Sequence, residues 1–244
     1  MKPNPQNVPL VSLTIFGYDG LREKLWAFGQ MGLAGFELEK VGGLRFYKLL
    51  GSGKGGGFSL KPDWSRYALL MVWDDAKAAD DFFQNSKLMQ KYRRRSAEIW
   101  TVRLSAVRSH GSWSGTNPFK PVAAAAPSES SPVAVLTRAA IHIGKLRRFW
   151  SFVPETSREI ERAEGLIASI GIGEAPFFRQ ATFSLWRTET DMKNFAYKSK
   201  VHTEVIKLTR AENWYSEELF ARFVPIASEG AWNGRDPLEV KSEK

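Results

Sequence analysis

The phrases "SHGSWSGTNPF" (residues 109–119) and "SEGAWNGRDPL" (residues 228–238) are two copies of one unusual pattern, Gly-x-Trp-x-Gly-x-Asn/Asp-Pro. Amphipathic periodicity does not generate such a string, so the pair points to an internal repeat with Trp113 and Trp232 at an offset of 232 − 113 = 119. Upstream, "VWDDAKAADDFFQNSKLM" (72–89) matches "LWRTETDMKNFAYKSKVH" (185–202), with Trp73 on Trp186, Phe82 on Phe195 and Ser86 on Ser199. Farther back "KLWAF" (24–28) matches "RFWSF" (148–152), and "LLGSGKG" (49–55) matches "SIGIGEA" (169–175). The drifting offset is what loop insertions produce in a tandem duplication. The intervening "KPVAAAAPSESSPVA" (120–134) is rich in Ala, Pro and Ser and has neither a helical stripe nor strand alternation. The expected organisation is an N-terminal repeat over 1–119, a linker over 120–132 and a C-terminal repeat over 133–244.

Each repeat reads strand, helix, strand, strand, helix, strand. In the first these are "LVSLTIFGY", "LREKLWAFGQMGLAG", "LRFYKLLGSG", "YALLMVW", "DDAKAADDFFQNSKLMQKYRRRSAE" with a break near Ser86, and "IWTVRLSAV". In the second they are "AVLTRAAIHI", "GKLRRFWSFVPETSREIER", "LIASIGIGE", "RQATFSLW", "TETDMKNFAYKSKVHTEVIKLTRAE" and "LFARFVPI". The fold class is therefore α+β, a duplicated ferredoxin-like β-α-β-β-α-β unit. Its two helices cover one face of each sheet, and the other face must be buried, most simply against the partner repeat. That arrangement is a pseudo-symmetric barrel of the dimeric α/β-barrel kind, with a cavity between sheet and helices. Each tryptophan phrase follows the last strand of its repeat. Its glycines permit a tight turn and its Trp can plug an edge or seam. A structural role is favoured over a catalytic one, because neither phrase holds a nucleophile–base pair.

With 244 residues the chain can bury a substantial core, and 9 Trp, 16 Phe and 6 Tyr must fill it or line an apolar pocket. The absence of cysteine excludes thiolate-ligated haem, iron–sulfur clusters and cysteine nucleophiles. Only His110, His142 and His202 remain as imidazoles, and they are too dispersed for a histidine-rich di-iron site. Metal chemistry then rests on one imidazole and a preassembled cofactor. The net charge of +9 suggests attraction to anionic surfaces. The run "YRRRS" (92–96) reads as a solvated helix face, and no aromatic-interleaved RNA motif accompanies it, so nucleic acid is not an expected partner. No stretch of about 18 apolar residues occurs, and the opening "MKPNPQNVPL" lacks an apolar signal core, which reads as cytoplasmic.

Two glycine strings fail as nucleotide loops. "GSGKGGGF" (51–58) lacks the Walker spacing and ending, and reads as a strand-to-strand loop at a pocket mouth; "GIGEAP" (171–176) has Pro176 where a dinucleotide motif would begin its helix. Electrons for any redox step must come from an external donor. His202 shares a helical face with Phe195, Ser199 and Ile206, while its duplicate position holds the apolar filler Met89. A lone His on such a face is commonly a hydrogen-bonded core residue, but the duplication and the aromatic surplus turn the reading towards a haem ligand. Strand alternation puts Arg138 and His142 on one face, able to hold a haem propionate or line a distal pocket. Arg179, Arg187 and Arg222 are further propionate candidates. His110, in the turn phrase, reads as exposed.

The strings "WAFGQMG", "FYKLLGSGKGGGF", "YRRRSAEIWTVRLSA", "GSWSGTNPF", "LTRA", "RRFWSFVP", "GIGEAPFFRQATFSLW", "ELFARFV" and "EGAWNG" together strongly resemble the spheroidene monooxygenases, the acyclic carotenoid 2-ketolases, over about residues 10 to 238. The resemblance implies a haem b enzyme that uses O2 and an external electron donor, ferredoxin-like or other, to hydroxylate and then ketonise carbon 2 of a carotenoid. More distantly the arrangement is similar to the dimeric α/β-barrel haem proteins, whose proximal His lies on a helix of the haem-binding half. His202 falls at such a place. It is thereby the expected metal ligand and catalytic residue, with Arg138, His142, Arg179, Phe183, Phe195, Ile206 and Trp214 as the expected cofactor contacts. A membrane-dissolved substrate implies peripheral contact with the cytoplasmic membrane face, and pairing into a homodimer stays open. Two alternatives stand beside this reading: a non-oxygenase haem enzyme of dehydratase or peroxidase type, and a cofactor-free module that binds a hydrophobic ligand.

Overall fold

The computed structural model describes residues 9–119, 121, 130–175, 177–198 and 200–239, with only the backbone for 198 and 200–202. Most of the linker expected at 120–132, together with Pro176 and Ser199, lies outside the described residues. The first repeat runs β1 (Leu10–Gly17), α1 (Leu21–Leu33), the short α2 (Gly35–Leu38), β2 (Leu44–Gly53), β3 (Pro62–Trp73), α3 (Ala76–Asn85), α4 (Lys87–Arg95) and β4 (Glu98–Gly111). The second runs β5 (Val133–Ile141), α5 (Leu146–Glu161), β6 (Leu166–Ala175), β7 (Arg179–Trp186), α6 (Glu189–Lys198), α7 (Lys200–Ala211) and β8 (Tyr215–Gly230). This is the expected duplicated β-α-β-β-α-β pattern, and the strands hydrogen-bond in the closed barrel order β1-β3-β2-β6-β7-β5-β8-β4. The helix break near Ser86 has a local cause. Ser86 leaves the helical region (φ −65°, ψ 128°), and its hydroxyl accepts from the amides of Leu88 and Met89, capping α4.

Two compact units divide the chain differently from its duplication. Unit 1 is Met1–Leu50, Trp64–Ser105 and Pro225–Lys244; unit 2 is Gly51–Asp63 and Ala106–Val224. The phrase at 228–238 thus belongs to unit 1, and the phrase at 109–119 to unit 2. This explains why β4 and β8 are 14 and 16 residues long, well beyond the strands the pattern predicts. In unit 1 the carboxylate of Glu98 accepts from the amide of Gly234 (2.7 Å), and Trp100 Nε1 donates to Asp236 (2.9 Å). The Trp232 ring lies 5.5 Å from Trp100. In unit 2 the carboxylate of Glu217 accepts from the amide of Gly115 (2.8 Å), and Glu217 corresponds to Glu98 at the offset of 119. Each turn carries a left-handed pair, Ser114–Gly115 (φ 58° and 79°) and Asn233–Gly234 (φ 57° and 77°), which is why both copies keep a glycine there. Among the described residues, no helix is long and apolar enough to cross a membrane.

Candidate active site

Strand register fixes which positions of the repeats correspond. Leu10 lies opposite Trp73, and Val133 opposite Trp186, so the alternate positions 10, 12, 14, 16 and 18 match 133, 135, 137, 139 and 141. In unit 1 this helix-facing row is Leu10, Ser12, Thr14, Phe16 and Tyr18, none more than 6% exposed. It belongs to one continuous core in which Phe16 stacks on Tyr92 of α4 (4.4 Å) and Trp26 meets the same ring edge-on (5.3 Å). Thr14 is satisfied by a hydroxyl–hydroxyl hydrogen bond to Thr101 (3.0 Å).

In unit 2 the corresponding row is Val133, Val135, Thr137, Ala139 and Ile141. Four are buried, but Thr137, in the middle of β5, is exposed. Among the described residues the helix-side core falls into two clusters, one on either side of it. Val133, Val135, Trp186 and Met192 pack with Phe195, while Ile141, Phe149, Val153 and Trp214 form a separate cluster with Val205 and Leu208. Substitutions between the repeats account for the gap. Where unit 1 has Phe16, Tyr18 and Tyr92, unit 2 has Ala139, Ile141 and Val205, so two aromatic rings are replaced by small or aliphatic groups at the centre and a third at the end. On α4, Leu88, Met89 and Tyr92 are 2%, 1% and 3% exposed; on α7, no described side chain is fully buried. Less side-chain volume therefore stands on the helix side at the middle of β5 than at the middle of β1.

The site residues expected from sequence separate into groups. His202 lies on α7, at the position matching Met89, and its side chain lies outside the described residues. Phe195 and Ile206 are half-buried, Phe195 against Trp186 (5.3 Å), and Trp214 is fully buried in the second cluster. These three do lie on the helix side. Arg138 and Phe183 are on the opposite face, because alternation along β5 and β7 turns them away from the rows that pack on the helices. His142 follows the end of β5 and is exposed, and its amide donates to the carbonyl of Trp214 (2.9 Å). Arg179 and Arg187 are exposed, whereas Arg222 is held by Glu189 (2.5 Å). His110 is exposed, as expected, and stacks on Phe220 (5.3 Å).

Arg138 has partners that its sequence context does not announce. Only 3% exposed, it donates to Glu217 and to Glu174 (3.4 Å), with its guanidinium over the Trp113 ring (5.6 Å). Trp113 Nε1 donates to Glu174 (2.7 Å), and Ser112 Oγ to Glu217 (3.0 Å). Desolvation would raise the Glu217 carboxyl, but the amides of Gly115 and Ser114, the Ser112 hydroxyl and Arg138 outweigh it and hold its pKa down to about 2. The group is a buried ionic clamp on the turn, at a position where unit 1 has Ile15. Near the second cluster, hydrogen bonds from Trp214 (2.8 Å) and Arg148 (3.2 Å) lower the Glu212 carboxyl. Burial, with Glu218 adding to it, raises the Tyr215 phenol, which stays protonated. Thr137, Ala139 and Val205 carry the gap, and sequence reading missed them. Their signal was available, since aligning "TIFGY" with "TRAAI" sets Ala139 on Phe16.

No protein-family model matches the chain. The chain is similar to the spheroidene monooxygenase of Rhodobacter capsulatus, 40% identical over 234 residues that cover 96% of this chain and 97% of that one. It is 38% identical to the spheroidene monooxygenase of Cereibacter sphaeroides over 93% of this chain and 70% of that one. Among solved structures it resembles an aldoxime dehydratase in complex with butyraldoxime, at a TM-score of 0.57 and 9% identity over 91% of this chain and 81% of that one. That likeness is one of fold alone.

Proposed function

The chain belongs to the spheroidene monooxygenase family, and from that premise we propose that it is a haem-dependent oxygenase acting on carbon 2 of an acyclic carotenoid such as spheroidene. The product is first the alcohol and, after a second turnover, the ketone. Membership makes the chain an oxidoreductase, and a monooxygenase takes O2 as co-substrate. The observation that carries the cofactor reading is the opened helix side of unit 2, with Thr137 exposed between two apolar clusters and Ala139 where its duplicate has a phenylalanine. A flat macrocycle suits such a space. Its walls are aromatic or aliphatic, its floor is small, and the helix over it carries His202 where α4 has Met89.

Haem b, when bound, supplies an iron centre that activates O2. We assign to His202, the one histidine the sequence places on that helix face, the imidazole that would hold the iron. Phe195 and Trp186 on one side, and Phe149 and Trp214 on the other, exclude water from the reacting centre. Arg138 and Arg222 are committed to carboxylates, and the register of β7 puts Arg179, with Phe183, on the face opposite Trp186, so none of these arginines is assigned to the propionates. His142 is assigned to the open end of the cleft, where its amide is anchored on Trp214. The long polyene is assigned to the remaining apolar surface of the same cleft. Electrons come from an external carrier, ferredoxin-like or other, since neither glycine string is built to hold a nucleotide.

The test is turnover of the purified, haem-loaded protein with spheroidene, a reduced ferredoxin system and isotopically labelled O2. Label in the 2-hydroxy product is expected. Unchanged substrate from fully haem-loaded, reduced protein would rule the reading out.

A further inference from the structure

We propose that the tip of unit 2 formed by Ile143, Phe177 and Phe178 is a docking element that inserts into the headgroup region of an anionic lipid bilayer. The proposal rests on this surface alone and is independent of the cofactor reading.

The three residues are 83%, 47% and 39% exposed, and they sit on segments tied together by hydrogen bonds. The Ile141 amide donates to the carbonyl of Phe178 (2.8 Å), and Trp150 Nε1 donates to the carbonyl of Phe177 (3.0 Å). Phe177 has a φ of 74°, a left-handed conformation that a bulky aromatic residue rarely takes. Its ring is held half-exposed at the surface at a conformational cost. Exposed aromatic and aliphatic groups gathered at one tip are what an interfacial anchor presents.

The charge around the tip decides among occupants. From His142 to Phe152 the chain carries Lys145, Arg147 and Arg148 and no carboxylate; from Ala175 to Gln180 it carries Arg179 and again none. Of the carboxylates that face this end from neighbouring elements, Glu174 and Glu217 are held by Arg138 and Glu212 by Arg148 and Trp214, which leaves the exposed Glu218 of β8 against Lys145, Arg147 and Arg179. An apolar tip ringed by cations complements anionic lipid headgroups over acyl chains. A second exposed apolar surface, on α1, lacks this match. There Leu21, Leu25 and Phe28 (75%, 62% and 53% exposed) stand among charges of both signs, with Glu23 between Arg22 and Lys24.

Flotation of the full chain with vesicles tests the proposal, using phosphatidylcholine alone and equal parts phosphatidylcholine and phosphatidylglycerol. The wild type should float with the mixed vesicles. The triple variant Ile143→Ser, Phe177→Ser, Phe178→Ser should partition roughly a hundred-fold less. The pair Arg147→Gln, Arg179→Gln, which leaves the apolar tip intact, should lose roughly twenty-fold on mixed vesicles only. The pair Leu25→Ser, Phe28→Ser should float as the wild type does. A wild type that binds no vesicle, a triple variant with native circular dichroism that floats unchanged, or a loss confined to the α1 variant overturns the proposal. A chain that floats but takes up no haem sinks the cofactor reading and leaves this one standing, and the reverse result does the opposite.

Discussion

Rebuilding in unit 2 the aromatic stack of unit 1 is the most searching perturbation of the cleft. The double substitution Ala139→Phe, Val205→Tyr places the Phe16–Tyr92 pair, centroids 4.4 Å apart in unit 1, at the corresponding positions beside Thr137. Emptying a packed core of a phenylalanine costs roughly 3–5 kcal/mol. Filling a space that is only partly open should regain about half of the lower figure or somewhat more, roughly 2 kcal/mol. For a chain of this length that is a rise of about 4–8 °C in the melting temperature of the cofactor-free protein. The rings would occupy the space assigned to the macrocycle, so haem affinity should fall at least about ten-fold, which is 1.4 kcal/mol. Calorimetry of the cofactor-free variant and titration with haemin followed by absorbance read the two effects separately. A variant that melts below the wild type shows overpacking, typically about 1–3 kcal/mol, and means that no room exists beside Thr137. A variant that melts higher yet binds haem with unchanged affinity places the cofactor elsewhere.

Other expectations concern the clamp on the opposite face. Arg138→Met should destabilise the fold by roughly 3–5 kcal/mol in urea titration, because it leaves Glu217 and Glu174 facing each other without their cation; a loss under about 1 kcal/mol would show that the clamp is incidental. The Glu217 carboxyl titrates near 2 in the folded chain, below its ordinary 4.5, so its stabilisation is full above the unfolded value and is lost as pH falls from about 4.5 to 2. Such a shift converts to about 3.4 kcal/mol, and solvent screening at the partly exposed carboxylate reduces it to the order of 2 kcal/mol. Melting curves should accordingly separate wild type from Glu217→Gln at neutral pH and converge towards pH 2, and a difference that persists undiminished at pH 2 would refute the assignment.

The duplication, the element order and the helix break at Ser86 were all legible in the sequence, because each is written in local spacing: repeated tryptophans, alternation of strand residues and a serine able to cap. The tight turn of the tryptophan phrase was legible for the same reason. Arg138 was not. Alternation places it on a face, but only the register of β5 against β7 and β8 shows that this face points away from the helices and towards Glu217 and Glu174. Thr137 was invisible for a different reason. Threonine suits a strand whether buried or exposed, and its exposure follows from missing volume at Ala139 and Val205, which lie on different elements. A gap is a property of several absent atoms, and it emerges from sequence only when the repeats are compared position by position at known register.

The haem absorption spectrum tests the central assignment most directly, recorded for wild type and His202→Ala after loading with haemin and gel filtration, and again after dithionite and carbon monoxide. The wild type should elute with a Soret band that shifts on reduction and again with carbon monoxide. His202→Ala should elute nearly colourless and regain the band when imidazole is added. A colourless wild type, or a substituted chain that holds haem as tightly as the parent, would contradict the account.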